Sequence, residues 1–367
     1  MESCMTCPTV SDVPQARPSA AVPAMLYDYA GAIHVHSTLS DGSGTVEEII
    51  RAAQSATLDF LILTDHEHLD ARDQGYEGWH DNLLLLVGEE VTPRFHNHYL
   101  AFGIREKVKG RGNRDPQEMV HAVAAQGGLG FIAHPIGEGY PTRAMACPWL
   151  DWQVTGFTGI EVWSYMHDWA CGLSLANCPM ALARPDGIIS GPPRQALDIW
   201  DAIGKERPVV AIGTLDIHAA RIPGLIYPRI LPYSFVFRTI RTHVLLDEPL
   251  PRDEPAHVAA QVYRAIGAGR CFFAHDGFGD STGFQFTAQR HGTVVATMGD
   301  AIPLQPDLRL YAVLPEPAHV CLLRDGAVIM ESHGKRVAYS AAVPGVYRVE
   351  VRRDSRPWIF SNAIYVR

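Results

Sequence analysis

Seven short apolar runs, each of strand length, recur between residues 30 and 218, and most are bounded by histidine or a carboxylate. The first, Ala32-Ile33-His34-Val35-His36, contains two of the imidazoles itself. The next two, Phe60-Leu61-Ile62-Leu63-Thr64 and Leu83–Val87, end in Asp65-His66-Glu67 and Gly88-Glu89-Glu90. His98 opens a run over 99–104, and Gly130-Phe131-Ile132-Ala133 ends in His134-Pro135. Ile160-Glu161-Val162 ends in Trp163, and the run over 209–214 leads to Asp216 and His218. Side chains two apart on a strand share a face, so His34 and His36 can aim both rings at one ion.

Amphipathic helices separate several runs. Thr45-Val46-Glu47-Glu48 has capping-box spacing ahead of Ile49, Ile50 and Ala53. Asp115-Pro116-Gln117-Glu118 supplies a cap and a first-turn proline, and Gly127-Gly128 a stop. Leu197, Trp200 and Ile203 lie at helical spacing, and Val258, Val262 and Ile266 mark a helix over 255–268. Apolar strands alternating with such helices predict a parallel sheet covered by helices. Seven runs suit a closed or nearly closed barrel, with polar residues gathered at its C-terminal mouth. Long connections at 135–158, 163–193 and 219–243 would wall that mouth.

A chain of 367 residues exceeds a single core. The expected division is a flexible arm over 1–29, an α/β barrel domain over 30–269 and an all-β sandwich module over 270–367. Strand-like stretches without long helices fill that last part, with Asp325-Gly326 as a hairpin turn.

The net charge of -9 argues against a general nucleic-acid or anionic-membrane surface. No apolar run approaches the ~20 residues that span a bilayer, and no basic-then-apolar leader opens the sequence. A cytoplasmic location is therefore expected. Seven scattered cysteines form no disulfide framework, and Cys4-Met5-Thr6-Cys7 lacks a second ligand pair nearby.

Collected together, His34, His36, Asp41, His66, Glu90, His98, His134, Asp216 and His218 exceed what one tetrahedral ion can use. Each alone has an ordinary explanation: a hydrogen-bonded core histidine, or Asp41 as a turn residue in Asp41-Gly42-Ser43-Gly44. Burying all of them without cations would carry a large desolvation cost. Imidazoles with carboxylates suit Mn, Zn or Fe, so two or three divalent ions are expected.

His34-x-His36, Ser40-Asp41-Gly42, Thr64-Asp65-His66, Gly88-x-Glu90, His98, Ala133-His134-Pro135 and Asp216-x-His218 resemble the ordered motifs of the PHP (polymerase and histidinol phosphatase) superfamily. The ending Pro357-Trp358-Ile359-Phe360-Ser361-Asn362 resembles the CehA/McbA branch. The resemblance implies a distorted (β/α)7 barrel. It also implies one ion on His34, His36, Glu90 and Asp216, a second on Glu90, His98 and His134, and a third on Asp41, His66 and His218. Glu89 and His96 remain rivals of Glu90 and His98, with Glu90 chosen from the Gly-x-Glu spacing.

Cations ~3.5–4 Å apart lower the pKa of a shared water, so the expected chemistry is attack of that hydroxide on a small phosphomonoester or phosphodiester. Hydrolysis of a carboxyl ester, carbamate or amide is the alternative, and a non-catalytic PHP domain the third reading. Asp65, His66, Glu67 and His68 are candidates for orienting or proton-donating roles. Arg143, Arg194 and Arg221 are candidates for holding a phosphate. The sequence carries no statement about oligomeric state.

Overall fold

The computed structural model describes residues 26–110, 115–138, 146–221, 229–252 and 254–367. Arg143 and the Cys4-Cys7 pair lie outside the described residues. Among the described residues the architecture is mixed α/β with two sheets. The smaller has five strands in the order Glu89–Val91, Tyr99–Phe102, Leu129–Ile132, Gly159–Ser164 and Val210–Thr214. In the larger, Tyr27–Val35 lies between Phe60–Leu63 and Ile240–Leu246, parallel to the first and antiparallel to the second.

Neither sheet closes, which corrects the expectation of a (β/α)7 barrel. Parallel neighbours need long crossovers, usually helical. Leu83–Val87, Glu89–Val91 and Tyr99–Phe102 follow one another with no helix between them, and the last two pair antiparallel. The sheets instead meet at one end. Leu215 N donates to Ile33 O (3.0 Å), Ile217 N to His34 O (3.2 Å) and His36 N to Ile217 O (3.0 Å), while His66 and Glu90 form an isolated bridge. That seam gathers the polar residues.

The helices follow their local sequence. Thr45 Oγ1 accepts from Glu48 N (3.3 Å) and Glu48 Oε2 from Thr45 N (3.4 Å), so Val46–Ser55 starts at the expected box and buries Val46, Ile49, Ile50 and Ala53. Asp115 caps Pro116–Ala124 through Gln117 N (2.9 Å) and turns Met119, Val120 and Val123 inward.

At both ends of the chain the strands depart from expectation. Tyr27–Val35 begins inside the stretch assigned to the flexible arm, because Tyr27, Asp28 and Tyr29 pair with Leu246, Leu245 and Val244. Arg309–Arg324 is a single strand. Pro315 and Pro317 cannot donate to the ladder, so its register shifts between Val313 and Ala318 without ending the strand. Asp325 (φ 54°) and Gly326 (φ 83°) make the predicted turn into Ala327–Ser340. The large sheet continues across the boundary expected at residue 270. Cys271–His275 pairs with Ile240–Leu246 on one side and Arg356–Ser361 on the other, carrying the large sheet across that boundary.

His243 ties the two ends together. It is fully buried, with Nδ1 2.7 Å from Asp28 Oδ1 and Nε2 3.2 Å from Asp276 Oδ2. Burial disfavours the imidazolium, yet Asp276 and Asp28 outweigh it and hold the group up to about 10, above its ordinary 6.5. This stabilisation is therefore complete below about pH 6.5 and fades as pH rises through about 10. Denaturant melts across that range should show falling stability, and His243→Gln should flatten the fall; an unchanged slope in the variant would remove His243 as the cause.

Candidate metal centre

Regular alternation does not bring His34 and His36 together. Tyr27–Val35 ends before His36, and pairing with Phe60–Leu63 shifts at Ile33/Val35, where His34 adopts φ 68°. This local kink sets the two rings 5.1 Å apart at 57°. His134 (φ 23°) and Asp216 (φ 50°) also have left-handed backbones, costly for residues with a side chain. Three unusual backbones at one seam mark a place where geometry outweighs local preference.

Glu90 lies at the middle. Its Oε2 is 3.4 Å from both His34 Nε2 and His36 Nε2 and 3.0 Å from His66 Nδ1. Its Oε1 accepts from His98 Nδ1 (2.9 Å) and His134 Nε2 (3.0 Å). Glu89 faces elsewhere and accepts from Val108 N; burial pushes its carboxyl up to about 8. His96 is exposed. Asp216 Oδ1 is 3.3 Å from His34 Nε2 and 3.4 Å from His36 Nε2. Asp41 Oδ1 sits 3.1 Å from His218 Nε2 and 3.4 Å from His66 Nε2, at a rim where its side chain is 57% exposed.

Among the described residues, four sets of donor atoms lie within 4.8 Å of one another around this seam: His34, His36, Glu90 and Asp216; Glu90, His98 and His134; His36, Asp41, His66 and His218; and His134, His167 and Asp216. The structure thus brings together all nine residues collected from the sequence and adds His36 to the third set.

Burial alone would lower the His34 imidazole, but Asp216, Glu161 and Glu90 hold it well above its usual range. Burial works likewise against His66 and His98, which carboxylates, chiefly Glu90, raise to about 10 and about 9. His36 is lowered to about 4, first by burial and then by His218. Glu90 and Asp216 are held well below the carboxylate range despite burial, principally by His34. The carboxylates of Glu90 and Asp216 are therefore kept ionised although buried.

A divalent cation fits this donor set. His34 Nε2, His36 Nε2, His66 Nδ1, Glu90 Oε2 and Asp216 Oδ1 are buried without a hydrogen-bond partner, an unfavourable state for polar atoms unless something else satisfies them.

Two neighbours had no counterpart in the sequence reading. Glu161 Oε2 accepts from His34 Nδ1 (2.7 Å), which leaves Nε2 as the atom facing the centre. His167 Nε2 is 3.0 Å from Asp216 Oδ2. A carboxylate inside the apolar run 160–162 was the one available signal for Glu161; nothing singled out His167.

Other candidates sit apart from the centre. Asp65 accepts from Ser37 N (2.7 Å), Ser37 Oγ (2.7 Å) and Ser40 Oγ (2.5 Å), so it braces the turn that carries Asp41. Glu67 accepts from Thr92 N (2.7 Å) and Gly110 N (3.0 Å), and His68 Nε2 donates to Leu39 O (3.0 Å). These contacts hold Asp65, Glu67 and His68 to the loops around the centre, in keeping with an orienting part. Arg221 is exposed. Arg194 borders a cavity of about 290 Å³ that begins at His134, Glu161 and His167, and it pairs with Asp198 (2.8 Å). Ser281, His243 and Asp28 have triad-like contacts, but Ser281 is fully buried, so the hydroxyl cannot meet a substrate.

Seam and donor set define a mixed α/β protein with a candidate polynuclear metal centre. No family model matches the sequence, and no curated protein does. Among solved structures, a two-domain protein of Bacteroides vulgatus containing a predicted PHP-like metal-dependent phosphoesterase is similar over 95% of this chain and 100% of that one, at 14% identity and TM-score 0.44. An amidohydrolase of Chromobacterium violaceum is similar over 53% and 88%, at 19% identity and TM-score 0.30. A complex of endonuclease Q with a 27-mer duplex is similar over 64% and 57%, at 11% identity and TM-score 0.36. The residues of the centre, rather than these likenesses, carry the functional reading.

Proposed function

We propose that this chain is a metal-dependent phosphoesterase of the PHP type, hydrolysing a small phosphomonoester or phosphodiester with two or three divalent ions of Mn, Zn or Fe. The observation that supports it is the set of buried donor atoms without a hydrogen-bond partner that converge on Glu90 and Asp216. Bound divalent cations supply Lewis-acid neutralisation of substrate oxygens and a water of lowered pKa. The protein's own part is to keep Glu90 and Asp216 ionised, to orient the imidazoles and to exclude bulk water from the His34 side. Asp41, His66 and His218 form the solvent-facing side where substrate enters. Arg194, at the mouth of the adjoining cavity, is placed to hold an anionic group once it leaves Asp198.

A second reading has its own support. Glu138, Glu161 and Asp168 line that cavity against the single guanidinium of Arg194, a balance that suits a neutral carboxyl ester, carbamate or amide. The CehA/McbA-like C-terminal ending points the same way.

Metal-free protein reloaded with Mn, Zn or Fe should turn over p-nitrophenyl phosphate or its diester and lose that activity with chelator. Turnover of p-nitrophenyl acetate alone would discard phosphoester hydrolysis in favour of the second reading. Failure to retain any of the three metals would discard both.

A further inference from the structure

We infer that His167 is the positioning residue of Asp216: it occupies one carboxylate oxygen so that the other alone faces the ion position of His34, His36 and Glu90. The inference rests on the proposed metal reading and extends it to a residue outside the nine-ligand set.

His167 lies in the helix Tyr165–Gly172, which follows the strand Gly159–Ser164 directly. Met166 N donates to Leu215 O (3.1 Å), so the backbones beside His167 and Asp216 are pinned together. The His167 side chain is buried, and its Nε2 meets Asp216 Oδ2 at 3.0 Å. An ionised carboxylate only accepts, so Nε2 carries the hydrogen. Asp216 Oδ1 points the other way, toward His34 Nε2 and His36 Nε2. The plane of the His167 ring is fixed independently: it stacks on His134 at 4.4 Å and 7°. His134 in turn reaches Glu90.

A carboxylate free to rotate could offer either oxygen, or both, to an ion. With Oδ2 engaged, Asp216 is preorganised as a one-oxygen donor, as outer hydrogen bonds commonly arrange for ligands. The donors of His134, His167 and Asp216 also fall within 4.8 Å of one another, so direct ligation by His167 is the rival arrangement. In that arrangement an ion would lie between His167 and Asp216 in place of their hydrogen bond.

Two polar variants of different reach separate these cases. Gln places an amide N–H near the position of Nε2; Asn falls short of it. Manganese affinity is measured by competition with a chelating dye, ion count at saturation by elemental analysis, and ligand geometry by the visible spectrum of the cobalt-loaded protein. His167→Asn should weaken the tightest manganese position ~10–100-fold, keep the saturated ion count and shift the cobalt spectrum. His167→Gln should stay close to the parent protein in all three. Equal affinity in the parent and both variants would overturn the inference, as would equal loss in Asn and Gln. A missing ion at saturation in the Gln variant would also overturn it, since that marks His167 as a ligand. If the parent protein binds no ion, the proposed function itself fails, an outcome distinct from the other three.

Discussion

Replacing Glu90 by Gln is expected to remove bound ions and turnover together, and to destabilise the metal-free protein by ~3–5 kcal/mol, the cost of leaving buried charges without their counter-charge. Five imidazoles, those of His34, His36, His66, His98 and His134, lie within 3.4 Å of this one carboxylate. Its charge is what holds His66 and His98 in their protonated forms in the absence of metal. The amide keeps the shape of the side chain but loses the charge, so the imidazolium groups would shed protons or separate. Ion affinity should fall by more than the ~10–100-fold typical of outer hydrogen-bond partners, because two of the donor sets at the seam contain Glu90. Glu89→Gln is the internal control. Its carboxyl faces Val108 N away from the centre, and an amide oxygen can accept the same hydrogen bond. Elemental analysis and denaturant melts in chelator, run on both variants, decide the matter. A Glu90→Gln protein with its full ion count and unchanged stability would refute the central role given to this residue.

What could be read from the sequence was the chemistry at the ends of the runs. An apolar run closed by His or Asp is visible as a pattern, and the residues so found do converge. How they converge was hidden. His34 and His36 owe their common direction to a kink at φ 68° rather than to regular alternation. Strands buried on both faces show no polar alternation, so Glu161 looked like an accident within Ile160-Glu161-Val162. His167 lay in a connection taken for a wall. Sheet closure was beyond reach for a related reason. Apolar runs record burial but not the direction of pairing, and the seven residues between Glu89–Val91 and Tyr99–Phe102 are too few for a helical crossover. In the C-terminal part, Arg309–Arg324 runs as one strand through Pro315 and Pro317, residues that interrupt a strand pattern in sequence.

The contacts of the C-terminal strands tie them to the elements that carry the centre. Asn362 accepts from Ala211 N (2.8 Å) and donates to Ala211 O (2.9 Å) and Cys271 O (2.9 Å). Ala211 belongs to Val210–Thr214, the strand that delivers Asp216. Arg348, only 1% exposed, makes two bonds to Asp201, Nε–Oδ1 at 2.6 Å and Nη2–Oδ2 at 2.7 Å, and a third to Glu350 (2.7 Å). It also lies over the Trp200 ring at 4.7 Å. Asp201 and Trp200 sit in the helix Arg194–Glu206, whose first residue borders the cavity. Arg348→Leu would strand Asp201 as a buried, unpaired charge, and we expect a loss of ~3–5 kcal/mol in denaturant melts. Asp201→Leu combined with Arg348→Leu should recover part of that loss, because an apolar pair demands no counter-charge. Recovery would show that the stranded charge, rather than lost packing, causes the defect. If Arg348→Leu instead melted like the parent protein, the ion pair would not be what joins the C-terminal strands to the helix beside the centre.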